Sequence, residues 1–356
     1  MHKDFHLYAT YLAARMAKFT PTRAQQIALA AQAVDDYTYS EYACCQEMLD
    51  VVLTDMGVLK SYWSAFHFLP GGVFEKGFDS DEINFVTKPD SGMCQLLKAN
   101  LREEAQKEEA RNKPARWMAK AGVAMHVLAD THAHEGFAGI PTSLNIIKNV
   151  ELPRGGSLGI ISRSTRHMPV ILTNLLLKAY EYLDSPGKPA IGHSTASHAP
   201  DISWLKYTYN NYKDEAFQRD NPSVFAKAFV DMYETLGGDP KRSEEVLAEI
   251  GSRLSHFGLS KRKDYSEKGD CAFASMLDKN ALKIDSIADG ESERANLDAL
   301  HAKYLNELNT LSRNYKEASS RDAIATCFRK LMDNDFFVAT IWHRNNVTLA
   351  MMGLGE

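Results

Sequence analysis

Cysteine is scarce. The 356 residues hold five, Cys44, Cys45, Cys94, Cys271 and Cys327, too few and too scattered for a disulfide framework and odd in number, so a reduced, cytoplasmic setting fits them best. The vicinal pair Cys44 and Cys45 reads as packing within a helix. No run of roughly 18 apolar residues is long enough to span a bilayer, and Met1 to His6 lacks the apolar stretch and small-residue cleavage site of a signal peptide. Positive charge is not in excess either: the formal net charge is -5, which gives no general attraction for polynucleotides, so nucleic-acid binding is not favoured. Internal repeats and low-complexity tracts are absent. Asp-Gly and Asn-Gly hairpin signals are nearly absent, and helical periodicity outnumbers strand alternation, which predicts an all-α class.

The helical pattern begins with Phe5, Tyr8, Leu12, Met16 and Phe19, an amphipathic series over about 4–18. Thr20 and Pro21 then supply a cap and a proline at the first helical position of an alanine-rich helix. Further helices are expected at 40–60, from Ser91 to about Arg111, from Pro114 onward, and at 169–183, 222–236, 242–256, 293–316, 320–332 and 335–352. Residues 73–89 read as a loop with a short strand at Ile83 to Val86, and 140–170 as a glycine-containing connection. Residues 1–210 are expected to form a metal-binding helical core, with 211–356 a helical region packed on it as one large domain.

The chemistry is concentrated early, since nine of the twelve histidines precede Asp201. In the helix from Pro114, His126, Asp130 and His134 fall at i, i+4 and i+8, which sets two imidazoles and a carboxylate along one stripe while His132 faces the other way. Imidazole nitrogen and carboxylate oxygen are usual ligands of zinc and related divalent ions, and groups four residues apart on a helix converge on one point. Asp35 and Asp36 end the alanine-rich helix, where the helix dipole disfavours acids, so either a metal or solvent must hold them. His67 is set in the apolar run Trp63 to Leu69 and is expected to be buried. His193, His198 and Asp201 cluster after Gly192. His256, His301 and His343 are isolated and read as structural or surface residues.

The ordered set of His6, Asp35 and Asp36, His67, His126 with Asp130 and His134, and Gly192-His193 resembles the zinc-dependent phospholipase C and single-strand-specific nuclease superfamily. The similarity over the first 210 residues is closest to bacterial phospholipase C proteins of the pseudomonad and legionella type. It is carried by Asp4-Phe5-His6, Val34-Asp35-Asp36, Phe66 to Gly71 and Leu128 to Phe137. The resemblance implies an all-helical bundle holding two or three zinc ions, other divalent metals being an alternative, with ligands drawn from Asp4, His6, Asp35, Asp36, His67, His126, Asp130, His134, His193, His198 and Asp201. It implies hydrolysis of a phospholipid at its phosphodiester, at a membrane surface, with Asp35 or Asp36 orienting or deprotonating the attacking water. Such proteins also leave the cell by routes that need no cleaved signal.

Three departures qualify the ligand set. The superfamily's processed N-terminal tryptophan is absent, so Asp4 or His2 would take its place. His134 stands two residues earlier than the superfamily's second downstream histidine. Ser197 occupies the position of an acid after Gly-His, which leaves His198 or Asp201 to substitute. A nuclease or phosphatase on the same scaffold, and a non-catalytic metal-binding helical protein, are the alternative readings.

Overall fold

The computed structural model describes residues 2–37, 63–72, 82–151, 191–260 and 271–351. The helices expected at 40–60 and 169–183 lie outside the described residues. The rest is mostly helical, as the patterning predicts. A π-helical turn, Asp4–Ala9, runs into α1 (Thr10–Met16), followed by α2 (Pro21–Tyr37). The Ser91 hydroxyl accepts from the Cys94 amide to start α3 (Gly92–Gln106). The extended backbone of Lys107 separates it from the short α4 (Glu108–Asn112), so the single charged helix expected there is two. Pro114 opens α5 (Pro114–Ala133), since a first-turn residue needs no amide hydrogen.

Helix α5 is the axis of the molecule and is buried continuously from Met118 to Ala133. Helix α2 lies against it so closely that a methyl group built on Gly122 would run into the Ile27 carbonyl oxygen and sit 2.6 Å from Ala30 Cβ. Alanines along α2 permit this approach. It brings Asp35, near the end of α2, opposite His126 and Asp130.

Three short strands, β1 (Lys148–Glu151), β2 (Lys206–Asn210) and β3 (Ala216–Asp220), form an antiparallel sheet in the order β1-β2-β3. The sequence lacked the usual hairpin dipeptides because this turn is built differently: the Asn211 side chain accepts from the Lys213 and Glu215 amides. Ile83 to Val86, expected as a strand, is a 3-10 turn ending in an isolated bridge between Val86 and Ala138.

The remaining elements are α6 (Asn221–Thr235), α7 (Ser243–Ser260), α8 (Ala272–Asp278), α9 (Gly290–Glu317), α10 (Arg321–Asp333) and α11 (Asp335–Met351). Asp220, Asp289 and Ser320 cap α6, α9 and α10 through their side-chain oxygens. One apolar cluster runs from Phe5 through Val34 and Leu128 to Phe229, Phe273 and Ala350, so residues before and after 210 share a core. Among the described residues no helix is long and apolar enough to cross a membrane.

Candidate metal centre

Four segments distant in sequence bring an inner set of groups together. The π-helical turn supplies His6, the end of α2 supplies Asp35, the helical turn after Trp63 supplies His67, and α5 supplies His126 and Asp130. His6 Nε2 lies 3.3 Å from Asp130 Oδ1 and 3.7 Å from Asp35 Oδ2. His67 Nδ1 and His126 Nε2 lie 3.0 and 3.2 Å from Asp130 Oδ2, and 3.3 Å from each other. Asp130 is thus the hub.

An outer set continues from it. His134 follows the last residue of α5, and its amide still bonds the Asp130 carbonyl as one further helical turn. Its Nε2 lies 3.1 Å from Asp201 Oδ1, while His193 Nε2 and His198 Nδ1 lie 3.5 and 3.6 Å from Asp201 Oδ2. His2, His198 and Asp201 form a further group whose donor atoms lie within 4.8 Å of one another. Gly192 places His193: its φ of +52° is a conformation side chains disfavour, and a Cβ there would run into the Phe68 ring. That ring stacks on His134 at 4.7 Å.

The histidine tautomers decide what this arrangement can hold. His126 Nδ1 donates to the Ala31 carbonyl at 2.9 Å, His134 Nδ1 to the His67 carbonyl at 2.7 Å, and His193 Nδ1 to the Ser197 carbonyl at 2.7 Å. With the proton fixed on Nδ1, the neutral ring presents a lone pair at Nε2. All three Nε2 atoms then face a carboxylate oxygen, an acceptor against an acceptor. Such a contact is relieved by a cation between its members, a metal ion or a second proton on the ring. His6 makes the same demand differently, being fully buried with no hydrogen bond at either ring nitrogen. Ligands about 2 Å from a tetrahedral ion stand roughly 3.3 Å apart, close to the spacings here.

The electrostatics follow from burial. Burial pushes His67 and His193 down to about 4 and holds His6 well below the usual imidazole range. It pushes Asp35 up to about 7, where nearby Asp130 adds to the rise and His126 opposes it. Burial would raise Asp130 and Asp201 as well, but the positive charges and hydrogen bonds around them, imidazoles among them, hold both well below the carboxylate range. Neutral imidazoles around ionised carboxylates are the protonation states that metal binding requires.

Two expected ligands are elsewhere. Asp4 faces away from the cluster, and its carboxylate accepts from the Ala272, Phe273 and Ala274 amides at 2.9, 2.9 and 3.1 Å. Three amides at the start of α8 offer a buried carboxylate more hydrogen bonds than a histidine cluster would; burial still pushes Asp4 up to about 7. Asp36, one residue after Asp35 and so about 100° round the helix, bonds His301 Nε2 at 2.7 Å and Gln32. His301, read as a structural or surface residue, is structural: it is the partner of Asp36. The other predicted residues, His6, Asp35, His67, His126, Asp130, His134, His193, His198 and Asp201, are brought together.

His132 turns away, as the helical spacing required, and pairs with Asp231 Oδ2 at 3.4 Å. Lys98 completes that network at 2.5 Å from Asp231 Oδ1. Sequence reasoning missed Arg219, whose Nη2 donates to the His132 and Ala133 carbonyls and closes the end of α5 beside His134. No local signal marked it, because the strand that carries it was not foreseen.

The chain belongs to DUF6765, a family of unknown function, whose profile matches residues 1–351. No curated protein and no solved structure matches it.

Proposed function

We propose that this chain is a metal-dependent phosphodiester hydrolase of the phospholipase C kind, with zinc as the ion that the nitrogen and oxygen donors suit best. The observation that carries the reading is the set of three imidazole Nε2 lone pairs held against carboxylate oxygens in two adjoining groups. The resemblance of the His6 to His193 series to zinc-dependent phospholipases supplies the substrate class.

Bound divalent ions would neutralise phosphate oxygens and make a bound water acidic near pH 7. The inner groups (His6 and Asp35 with His126; His67 with His126 and Asp130) and the outer group of His134, His193 and Asp201 would hold them. Asp35 is the most exposed member of the inner group, its side chain 29% accessible. A carboxylate oxygen of Asp35 not engaged by an ion would take the proton of the attacking water. The carbonyls of Ala31, His67 and Ser197 keep the three rings from rotating as charge develops.

Elemental analysis of the purified protein, followed by assay on phosphatidylcholine vesicles and single-stranded DNA, tests this. The expected result is at least two zinc ions per chain and release of diacylglycerol, with both bound metal and activity lost in His126→Ala. Activity retained after metal removal overturns the reading, and cleavage of DNA without cleavage of the vesicles transfers it to the nuclease alternative.

A further inference from the structure

The turn that carries His6 is π-helical, a geometry rarer and less favourable than the α-helix that follows it. Something outside the turn must hold it. Every side chain around His6 that reaches out of this segment does so toward residues far along the chain. Lys3 Nζ and Tyr8 Oη donate to Asp298 Oδ1 at 2.8 and 2.6 Å. Tyr11 and the buried Arg15 bond Glu293, and Arg15 also donates to the Ser286 carbonyl. Closest to His6, two residues before it, Asp4 takes three amide hydrogens at the start of α8.

We propose that Asp4 is a positioning residue: by capping α8 it fixes the π-helical turn that presents His6 to the metal position shared with Asp35 and His126. Helices α8 and α9 are then part of the apparatus of the inner metal site, although none of their residues faces it. The geometry supports this over a role in stability alone. Asp4 and His6 are successive polar residues of one buried turn, Asp4 directed to α8 and His6 to Asp130. With both side chains and the intervening Phe5 buried, the turn cannot shift at Asp4 without moving the imidazole. Phe5 makes edge contacts with Phe225 and Phe273 at 5.0 and 5.2 Å, which clamp the middle of the turn to α6 and α8.

The inference rests on metal binding by this cluster and not on the phosphodiester chemistry, so it stands or falls separately from the substrate. Zinc and cobalt(II) titrations of the full chain, with cobalt absorption as the probe of ligand geometry, would be made on wild type, Asp4→Asn, the milder Asp4→Ser, His6→Ala and the double variant Asp4→Asn with His6→Ala. Ser320→Ala, which removes the side-chain cap of α10, is the control for loss of a helix cap.

The expected result is that Asp4→Asn and Asp4→Ser weaken one ion by about 10- to 100-fold, as loss of a ligand's supporting partner does elsewhere, and alter the cobalt spectrum. The other ion stays at wild-type affinity. In the His6→Ala background the Asp4 substitution should weaken metal binding no further, and Ser320→Ala should leave the titration unchanged. Wild-type affinity and spectrum in both Asp4 variants would overturn the proposal, as would an undiminished effect of Asp4→Asn once His6 is gone. If neither variant yields folded protein while Ser320→Ala does, Asp4 acts on folding as a whole and the proposal fails. A wild type that binds no metal refutes the metal reading itself, an outcome distinct from all of these.

Discussion

The two polar faces of α5 are built from the same residue types and are completed in opposite ways. On one, His126, Asp130 and His134 meet other imidazoles and carboxylates so that acceptors oppose acceptors. On the other, His132 meets Asp231, and Asp231 meets the ammonium of Lys98. The second face carries its own cation; among the described residues the first has none. Both faces are buried, so the closure of the hydrogen-bonding account separates a metal site from a structural pin.

The difference is expected to be largest in acid. In the metal-free protein burial holds His2 at about 3, His67, His193 and His343 at about 4, and His6 well below its ordinary value. Below pH 6.5 the unfolded chain takes up protons on these five groups while the folded chain does not. Asp4 and Asp35, raised to about 7, work the other way, since they are protonated when folded and ionised when unfolded. Five histidines outweigh two carboxylates, so stability should rise with pH from about 4 to 6.5 and be lost on acidification, by at most about 4 kcal/mol per pH unit. Denaturant titrations of the metal-free protein across that window measure it, and a flat profile would remove the idea that the cluster is held neutral.

Asp231→Ala acts on the other face. It leaves the Lys98 ammonium buried without its strongest partner, and breaking such a pair costs about 3–5 kcal/mol. Zinc stoichiometry should be untouched. Loss of metal at unchanged thermal stability would erase the distinction between the faces.

Helix periodicity made the α5 stripe and the inward turn of the Phe66 to Leu69 run legible from sequence, because spacing alone fixes which side chains share a face. The long helices were legible for the same reason, and the starts expected at Ser91, 222 and 320 lie within one residue of those observed. Asp4 and Asp36 were misread because a resemblance in motif brings a residue near a site without saying which way it turns. The three amides that claim Asp4 come from α8, 268 to 270 positions away, and His301, which claims Asp36, is 265 away. The sheet was hidden because its turn uses Asn211 in place of a glycine dipeptide, and the support that Arg219 gives α5 was hidden with it.

Gly122 supplies the smallest and most selective perturbation. It stands four residues before His126, so it opens the same stripe, and it is where α2 comes closest to α5. A methyl group there must displace the Ile27 carbonyl or Ala30, and overpacking of this kind costs about 1–3 kcal/mol. The displacement separates α2 from α5, which moves Asp35 relative to His126 and Asp130. It lies away from His134, which follows the far end of α5, from His193 and Asp201, which other elements carry, and from the Lys98 network on the far face. Gly122→Ala should therefore lower the melting temperature modestly and weaken the inner ion while the outer ion titrates as in wild type. Equal weakening of both ions would mean that the two groups are one indivisible site, with Asp130 too central for either half to be disturbed alone.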